Sequence, residues 1–514
     1  MAQEIPVSRG LQTSSPASSH TRLIEVIDAL VFRVGAEPWG VRELAAELDE
    51  SRSTVNRILH SLVEQGFALE AGAGKYTIGP RLSVLTNALS SGSVLLQLGK
   101  DGLAELANAT RATALISICN PVDGRYFVAA CSEPQTSLTF RPELGVMHPQ
   151  SFGGIGKQLA AFLDAGELVQ SIPSADSSHV HDDLPLRGLP GTLSESEFPE
   201  PLSVAVQKLH NGMIVAVSIH SADGEHVQAT EQAEHLVVSF ADKLGAAVNG
   251  ASNQRNSSDP VVTLEDTKST VSRLERLLLI ACAFPQGVKN TVGLQDQLLC
   301  NAATAKRLVH SGEQAGIVVS VGSTLYPGPK LYQWASRLGY RDNIADLTRS
   351  TVHKLVQETG ETIAILSFDE VLKRAMFLDV IQGWRPIQYQ LSVNTDVPLY
   401  AGAAGKAVLA YCDQQTIDSI ELIRLTEATI IDRAKLNSDL ELIAQRGWAT
   451  GTGERVLGAF GLAVPFFVDG RVRGSISATI PQYRKDERDL PTLTQLMQEA
   501  TRKIGRLLSL GVSL

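Results

Sequence analysis

Arg52, Ser53, Asn56, Arg57 and His60 recur at a spacing that gathers all five on one side of a helix. Their chemistry is that of groove recognition. A guanidinium bonds guanine through two N–H groups, an Asn amide does the same for adenine, and Ser or Thr hydroxyls reach phosphates or base edges. Ser51 and Thr54 stand beside them, and Ser51 is also a natural N-cap. Lys75 and Tyr76 follow on a hairpin, where a wing would touch the DNA backbone or minor groove.

Holding such a face requires a small core. Leu23, Val26, Ile27 and Leu30 have helical spacing, and after Pro38 and Gly40 a second short helix carries Val41, Leu44, Ala45 and Leu48. In the third helix Val55, Ile58, Leu59 and Leu62 form the expected buried stripe, and Gly66 ends it. FALEA and KYTIG, joined around Gly72-Ala73-Gly74, read as a hairpin. Three helices and a hairpin is the order of a winged helix-turn-helix. From Thr21 to Leu82 there are seven Lys/Arg against nine Asp/Glu, with Glu43, Glu47, Asp49 and Glu50 clustered on the second helix. Electrostatic affinity per head is therefore expected to be modest, so a stable DNA complex needs several heads or more than one chain.

The same blocks return roughly 250 positions later, the mark of an internal duplication. Arg57 to Phe67 and Thr77 to Leu82 have counterparts in Arg307 to Ile317 and Tyr326 to Leu331, and His148 to Phe162 faces Val397 to Tyr411. The boundaries read as a tail over 1–19, a first head over 20–82, a first sensor over 83–250, a linker over 251–269, a second head over 270–331 and a second sensor over 332–514. The second head is expected to be degenerate. Gly312 stands at the core position of Leu62, where a mid-helix Gly costs about 1 kcal/mol against Ala, and Ala302 and Ala303 replace Arg52 and Ser53. Lys306 and Arg307 remain, and with six Lys/Arg against three Asp/Glu from Val271 to Leu331 the segment is expected to have lost sequence reading while keeping phosphate contact or a packing role.

In the sensors, Thr113 to Cys119 with Tyr126 to Cys131, and Phe460 to Val468 with Arg471 to Ile480, read as hairpins. Helices Leu96 to Ala107 and Thr492 to Leu508 flank them, giving an α+β sensor with helices to one side.

The stretch VRELAAELDESRSTVNRILHSLVEQGF followed by KYTIGPRL resembles the N-terminal domain of the IclR family of bacterial transcription regulators. The glycine–lysine blocks at Gly153 to Ala160 and Gly402 to Ala410, and Gln445 to Pro481, resemble that family's effector-binding domain. The tandem arrangement departs from the family, whose members usually have one head and one sensor. The resemblance implies an α+β chain: two winged helix-turn-helix domains, each followed by a GAF-like α/β effector-binding domain with a mainly antiparallel sheet. It also implies a pocket between the sheet and the loop before the glycine–lysine helix, taking small, often anionic metabolites such as aromatic acids. On this chain that maps to Ala401, Gly402, Ala403, Ala404 and Gly405, whose N–H groups suit a carboxylate, with Glu454, Ala463, Ser475 and Ser477 on the wall. In the first copy the glycines are expected to serve close packing alone, and that sensor to be mainly a dimerisation scaffold.

Composition bounds the alternatives. The 514 residues carry 45 Lys/Arg against 55 Asp/Glu, so a polybasic nucleic-acid coat protein is excluded. Five cysteines without CxxC spacing argue against a disulfide scaffold or structural zinc, and no cofactor or metal is expected. GGIGK and GAAGK lack the earlier Gly and the following Ser/Thr of a phosphate loop, and no HExxH or GxSxG occurs, so an enzyme is not expected. His181, Asp182 and Asp183 read as a solvated loop. The longest apolar run, Leu277 to Phe284, is too short to span a bilayer, and the N-terminus lacks a signal-peptide core. A cytoplasmic protein binding a double-stranded DNA operator and a small effector is expected, as a homo-oligomer with a dimer of chains preferred and no membrane partner. The alternative is a non-DNA sensor or co-regulator acting through protein contacts.

Overall fold

The computed structural model describes residues 18–120, 124–136, 138–165, 198–221, 231–253, 261–262, 269–289, 293–339, 344–370, 372–385, 389, 391–393, 395–510 and 512–513. Nearly all of the expected tail, much of the 251–269 linker and the segment holding His181, Asp182 and Asp183 lie outside them. The chain divides into two compact units, residues 1–340 and 341–514, both mixed α+β with antiparallel sheets.

The first unit opens with α1 (Ser19–Phe32), β1 (Trp39–Gly40), α2 (Val41–Glu47), α3 (Arg52–Glu64), β2 (Ala68–Glu70), β3 (Lys75–Ile78) and α4 (Pro80–Gly92). Each helix starts where the local chemistry allows. The Ser18 and Ser51 hydroxyls accept from the Thr21 and Thr54 N–H groups, and Pro80 fits the first turn of α4. Leu23, Val26, Ile27, Leu30, Leu44, Val55, Leu59 and Leu62 make the core, while Ile58 is only half-buried.

The first sensor follows as α5 (Val94–Thr110), β4 (Thr113–Cys119), β5 (Tyr126–Ser132), β6 (Met147–His148), α6 (Gly153–Ala165), β7 (Pro201–Lys208), β8 (Ile214–His220) and α7 (Glu231–Asn253). Its sheet order is β6-β5-β4-β8-β7. After β9 (Val261–Val262) the head pattern returns in α8 (Thr270–Ala283), β10 (Val288–Lys289), α9 (Gly293–Gln297), α10 (Ala302–Gln314), β11 (Val318–Val321), β12 (Thr324–Pro327) and α11 (Pro329–Leu338). The two small sheets have matching orders, β1-β3-β2 and β10-β12-β11.

Within this unit the heads pack on each other. Arg81 on α4 meets Glu275 on α8 at 2.7 Å, with both side chains almost fully buried. Lys330 and Trp334 on α11 both reach Asp28 on α1, at 2.9 and 2.7 Å.

The second unit comprises α12 (Ile344–Thr359), β13 (Thr362–Asp369), β14 (Arg374–Ile381), α13 (Ala403–Leu409), α14 (Gln414–Ser419), α15 (Arg433–Arg446), β15 (Ala449–Thr452), β16 (Ala459–Val468), β17 (Arg471–Pro481) and α16 (Leu490–Leu508). Its sheet runs β14-β13-β17-β16-β15. The expectation of helices on one side is corrected here. Ile363 and Ile365 pack with α12 and α16, whereas Ala364 and Leu366 pack with α13 and α15 on the opposite face. Successive strand residues face opposite sides, and β13 is apolar on both, so both sides need a cover.

Candidate DNA face and effector pocket

The α3 face emerges largely as its spacing requires. Arg52, Ser53, Asn56, Arg57 and His60 are exposed, and Thr54 is half-buried. The Ser51 hydroxyl lies 2.9 Å from both Ser53 Oγ and Thr54 Oγ1 and caps the helix, so its first role is structural. Acidic neighbours are paired: Glu50 with Arg22 at 2.5 Å, Glu43 with Arg33 at 2.6 Å, and Glu37 with Lys75. Arg52 and Arg57 make no ion pair among the described residues.

The wing corrects one expectation. Tyr76 is 4% exposed and pairs across the sheet with Trp39. Lys75 and Tyr76 are consecutive on β3, so they face opposite sides and only one of them can meet DNA. Trp39 itself is fixed by donating to Ala29 O at 2.8 Å.

The pocket of the second unit lies at the start of α13, with a volume of about 70 Å³. Of the expected residues, Ala401, Gly402, Ala403, Ala404, Glu454 and Ser477 line it. Gly405, Ala463 and Ser475 do not. A Cβ on Gly405 would stand 2.2 Å from Pro398 O, so that glycine serves backbone packing. Ala463 is core, and the Ser475 hydroxyl donates to Ala404 O at 3.0 Å. Gly402 has φ +83°, and Gly451 lets β15 approach to where a Cβ would meet Ala403 N at 2.9 Å.

The largest correction concerns the helix start. Glu454 is buried, accepting from Gly402 N–H at 2.8 Å and from Lys406 Nζ at 2.7 Å. The protein's own carboxylate therefore takes the Gly402 N–H that was expected to meet a ligand. Lys406 is itself buried and bonds Asp439 at 2.6 Å. Thr426 and Thr429 hold the carbonyls of Gly453 and Glu454 at 2.6 and 2.7 Å, fixing the loop that carries both Glu454 and Arg455.

Arg455 went unnoticed in the sequence. It lines the pocket, lies 5.1 Å from the Phe377 ring centroid, and pairs with no carboxylate among the described residues. Burial lowers its pKa from the usual guanidinium value, the mark of a cation short of solvent. The adjacent Glu454 drew attention as the charged residue of the block, and nothing in their spacing separated the two. Phe377, Thr479 and Gly461 also line the pocket and were missed, because they come from strands distant in sequence.

The first sensor has the same block and different contents. Phe152 and Ile155 stand where the second has Ala401 and Ala404. Phe152 stacks on His148 at 4.5 Å, Phe140 meets Phe198 edge-on at 4.9 Å, and His220 bonds Ser218 at 3.0 Å and Pro199 O at 2.8 Å. Added Cβ atoms on Gly154 and Gly156 would stand 2.4 Å from Glu200 and 2.3 Å from Gln150 O, so these glycines admit close packing. No group of side chains suited to a metal occurs among the described residues, and none of their helices is long and apolar enough to cross a membrane.

Comparison with known proteins matches residues 21–70 to the IclR helix-turn-helix domain and residues 339–506 to the C-terminal domain of bacterial IclR transcriptional regulators. The chain carries both domains of an IclR-type transcription regulator. It is 28% identical over 212 residues to the regulator BhcR of Paracoccus denitrificans, covering 40% of this chain and 75% of that protein. It is 25% identical over 206 residues to KipR of Bacillus subtilis, covering 39% and 82%. The crystal structure of Thermotoga maritima IclR aligns with 46% of this chain and 97% of its own, at 24% identity and a TM-score of 0.31. The match to the IclR head thus coincides with α1 to α3 and β2, and the match to the IclR C-terminal domain with the unit that holds the Arg455 pocket.

Proposed function

We propose that this IclR-type chain controls a small-molecule catabolic operon by coupling an acid-binding pocket in the second sensor to the geometry of its heads. The first head reads the operator through Arg52, Ser53, Asn56, Arg57 and His60, with Ser51 and Thr54 ordering the helix start and Lys75 on the wing. The observation that carries the reading is the exposed, unpaired α3 face on an N-capped helix.

The effector is a small carboxylic acid bound by Arg455, with Phe377 beneath the guanidinium and Ser477 on the wall. A charge-assisted contact of this kind is strong because the site is half-desolvated. Effector binding biases the heads only so far as its affinity differs between their arrangements. The chain is read as two diverged copies of one module, supported by the repeated sequence blocks and the matching orders of the small sheets. In the first copy Phe152 and Ile155 fill the place of the pocket, which suits a scaffold.

The test is an anisotropy titration at two salt concentrations against DNA upstream of the gene and its neighbours, beside an Arg52→Ala/Arg57→Ala variant. Specific binding that the variant loses is expected. Equal, weak, salt-sensitive binding to every fragment by both proteins would overturn the reading and favour a co-regulator.

A further inference from the structure

We propose that the second head is a DNA reader in its own right, so that one chain recognises an operator built of two unlike half-sites. The inference rests on reading the chain as a DNA-binding regulator, and it adds a second recognition surface, on α10.

The first support is the packing of the heads, which is reciprocal. The α1 N-cap Ser18 bonds Ser311 on α10 at 2.9 Å. Their counterparts, the α8 N-cap Ser269 and Ser61 on α3, both line a cavity of about 410 Å³, together with Thr54 and Arg57. Arg81 reaches from α4 to Glu275 on α8, and its counterpart Lys330 reaches from α11 to the matching helix α1, at Asp28, one turn beyond the position of Glu275. Contacts in which an element of one copy meets an element of the other, and their counterparts meet in return, mark an approximate two-fold pairing. Paired helix-turn-helix heads that share one operator stand in such a two-fold relation.

The second support is the α10 face. Asn301 caps the helix by accepting from Thr304 N–H at 2.9 Å. Lys306, Arg307 and His310 are exposed, at the positions of Asn56, Arg57 and His60. Gly312, expected to weaken the second head, is closely covered. A Cβ there would stand 3.1 Å from Val318 Cγ2 and 3.2 Å from Leu277 Cδ2, so the helix is seated by its neighbours. The segment is basic where the first head is acidic, with Lys289 exposed on the wing sheet opposite Thr324, the counterpart of Lys75.

The differences set the expected asymmetry. Ala302 and Ala303 offer methyl groups that suit a thymine methyl, where Arg52 and Ser53 offer hydrogen bonds. Lys306 replaces an adenine-reading amide with a cation suited to guanine or phosphate.

The experiment selects operators from a random duplex library with the full chain, then titrates the selected site and its two symmetrised versions at two salt concentrations. The variants are Arg52→Ala/Arg57→Ala, Lys306→Ala/Arg307→Ala, and the exchange Ala302→Arg/Ala303→Ser/Lys306→Asn. The wild type is expected to select two unlike half-sites. Lys306→Ala/Arg307→Ala should lose about tenfold or more in affinity and flatten the log–log salt slope by roughly 2. The exchange variant should shift its preference to the site made of two first-head halves. Selection of sites built from a single kind of half-site, or wild-type binding and salt slope in the Lys306→Ala/Arg307→Ala variant, would overturn the inference while leaving the first head as reader. No selected sequence at all, with Arg52→Ala/Arg57→Ala unchanged, would overturn the DNA-reading function itself. Unchanged melting curves in all three variants separate these outcomes from misfolding.

Discussion

Lys157 and Lys406 close the same glycine–lysine block in the two sensors, and their surroundings are opposite. Lys406 is buried between Glu454 and Asp439, at 2.7 and 2.6 Å. Lys157 is exposed, with its carboxylate neighbour Glu200 at 3.8 Å. Around Lys406 the block keeps small residues, Ala401 and Ala404, and a pocket remains. Around Lys157 it has Phe152 and Ile155, and an aromatic core occupies the space. One backbone pattern therefore holds a pocket or a core, and side-chain volume at two positions accompanies the switch. Where the pocket persists, a buried charge network holds its rim.

The sharpest way to break that comparison is to remove the network. Lys406→Met keeps most of the side-chain volume but leaves Glu454 and Asp439 without their shared cation. Breaking a buried pair from one side costs about 3–5 kcal/mol. The calorimetric transition of the 341–514 unit in the full chain should fall accordingly, with effector binding lost. A loss under about 1 kcal/mol would mean that the network holds nothing together.

Acid should separate the sensors next. Burial depresses both His148 and His220 to about 4, with Arg125 adding to the effect at His148. Each ring is neutral in the fold and takes a proton near pH 6.5 when unfolded. Its contribution to stability is complete above pH 6.5 and is lost as pH falls toward 4. At about 1.4 kcal/mol per pH unit, each histidine withdraws roughly 2 kcal/mol by pH 5. Hydrogen exchange, corrected for its intrinsic pH dependence, should show β8 losing more protection than β17 between pH 7 and 5. Equal losses would deny the histidine core this role.

Much of this was legible in the sequence, and what was not has physical reasons. The strand pairs β4–β5 and β16–β17 and the core stripe of α3 follow from period alone. The alignment of the two blocks already sets Phe152 against Ala401, so the filled pocket was open to inspection. Tyr76 was misplaced because its partner Trp39 lies in a two-residue strand too short to leave a periodic signal. Glu454 was found but misread, since only the fold brings Lys406 and the Gly402 N–H to its two oxygens. Arg455 was hidden for the opposite reason: its significance is the lack of a carboxylate partner, and spacing records only what is present.

Arg455 offers the next smaller effect. Arg455→Met should weaken binding of small carboxylic acids by about 10–100-fold, the worth of a hydrogen bond to a charged group. The unliganded melting transition should move little. Arg455→Lys should recover part of the loss, and neutral amides of the same acids should bind wild type and variants alike. Equal acid affinity in wild type and Arg455→Met, by calorimetric titration, would show that the acid is recognised elsewhere in the pocket.

The smallest expected effect closes the comparison at Lys157. Its side chain is 54% exposed, Glu200 is 60% exposed, and their separation is 3.8 Å. Such a pair gains little Coulomb energy in water, costs side-chain entropy to hold, and is screened by salt. Lys157→Met should therefore change the stability of the 1–340 unit by no more than about 0.5 kcal/mol, with no added sensitivity at high ionic strength. The same substitution at equivalent positions then gives two results several kcal/mol apart. If Lys157→Met instead destabilised its unit as strongly as Lys406→Met does, the two blocks would share one internal charge network, and the volume of Phe152 and Ile155 would no longer explain why one sensor keeps a pocket.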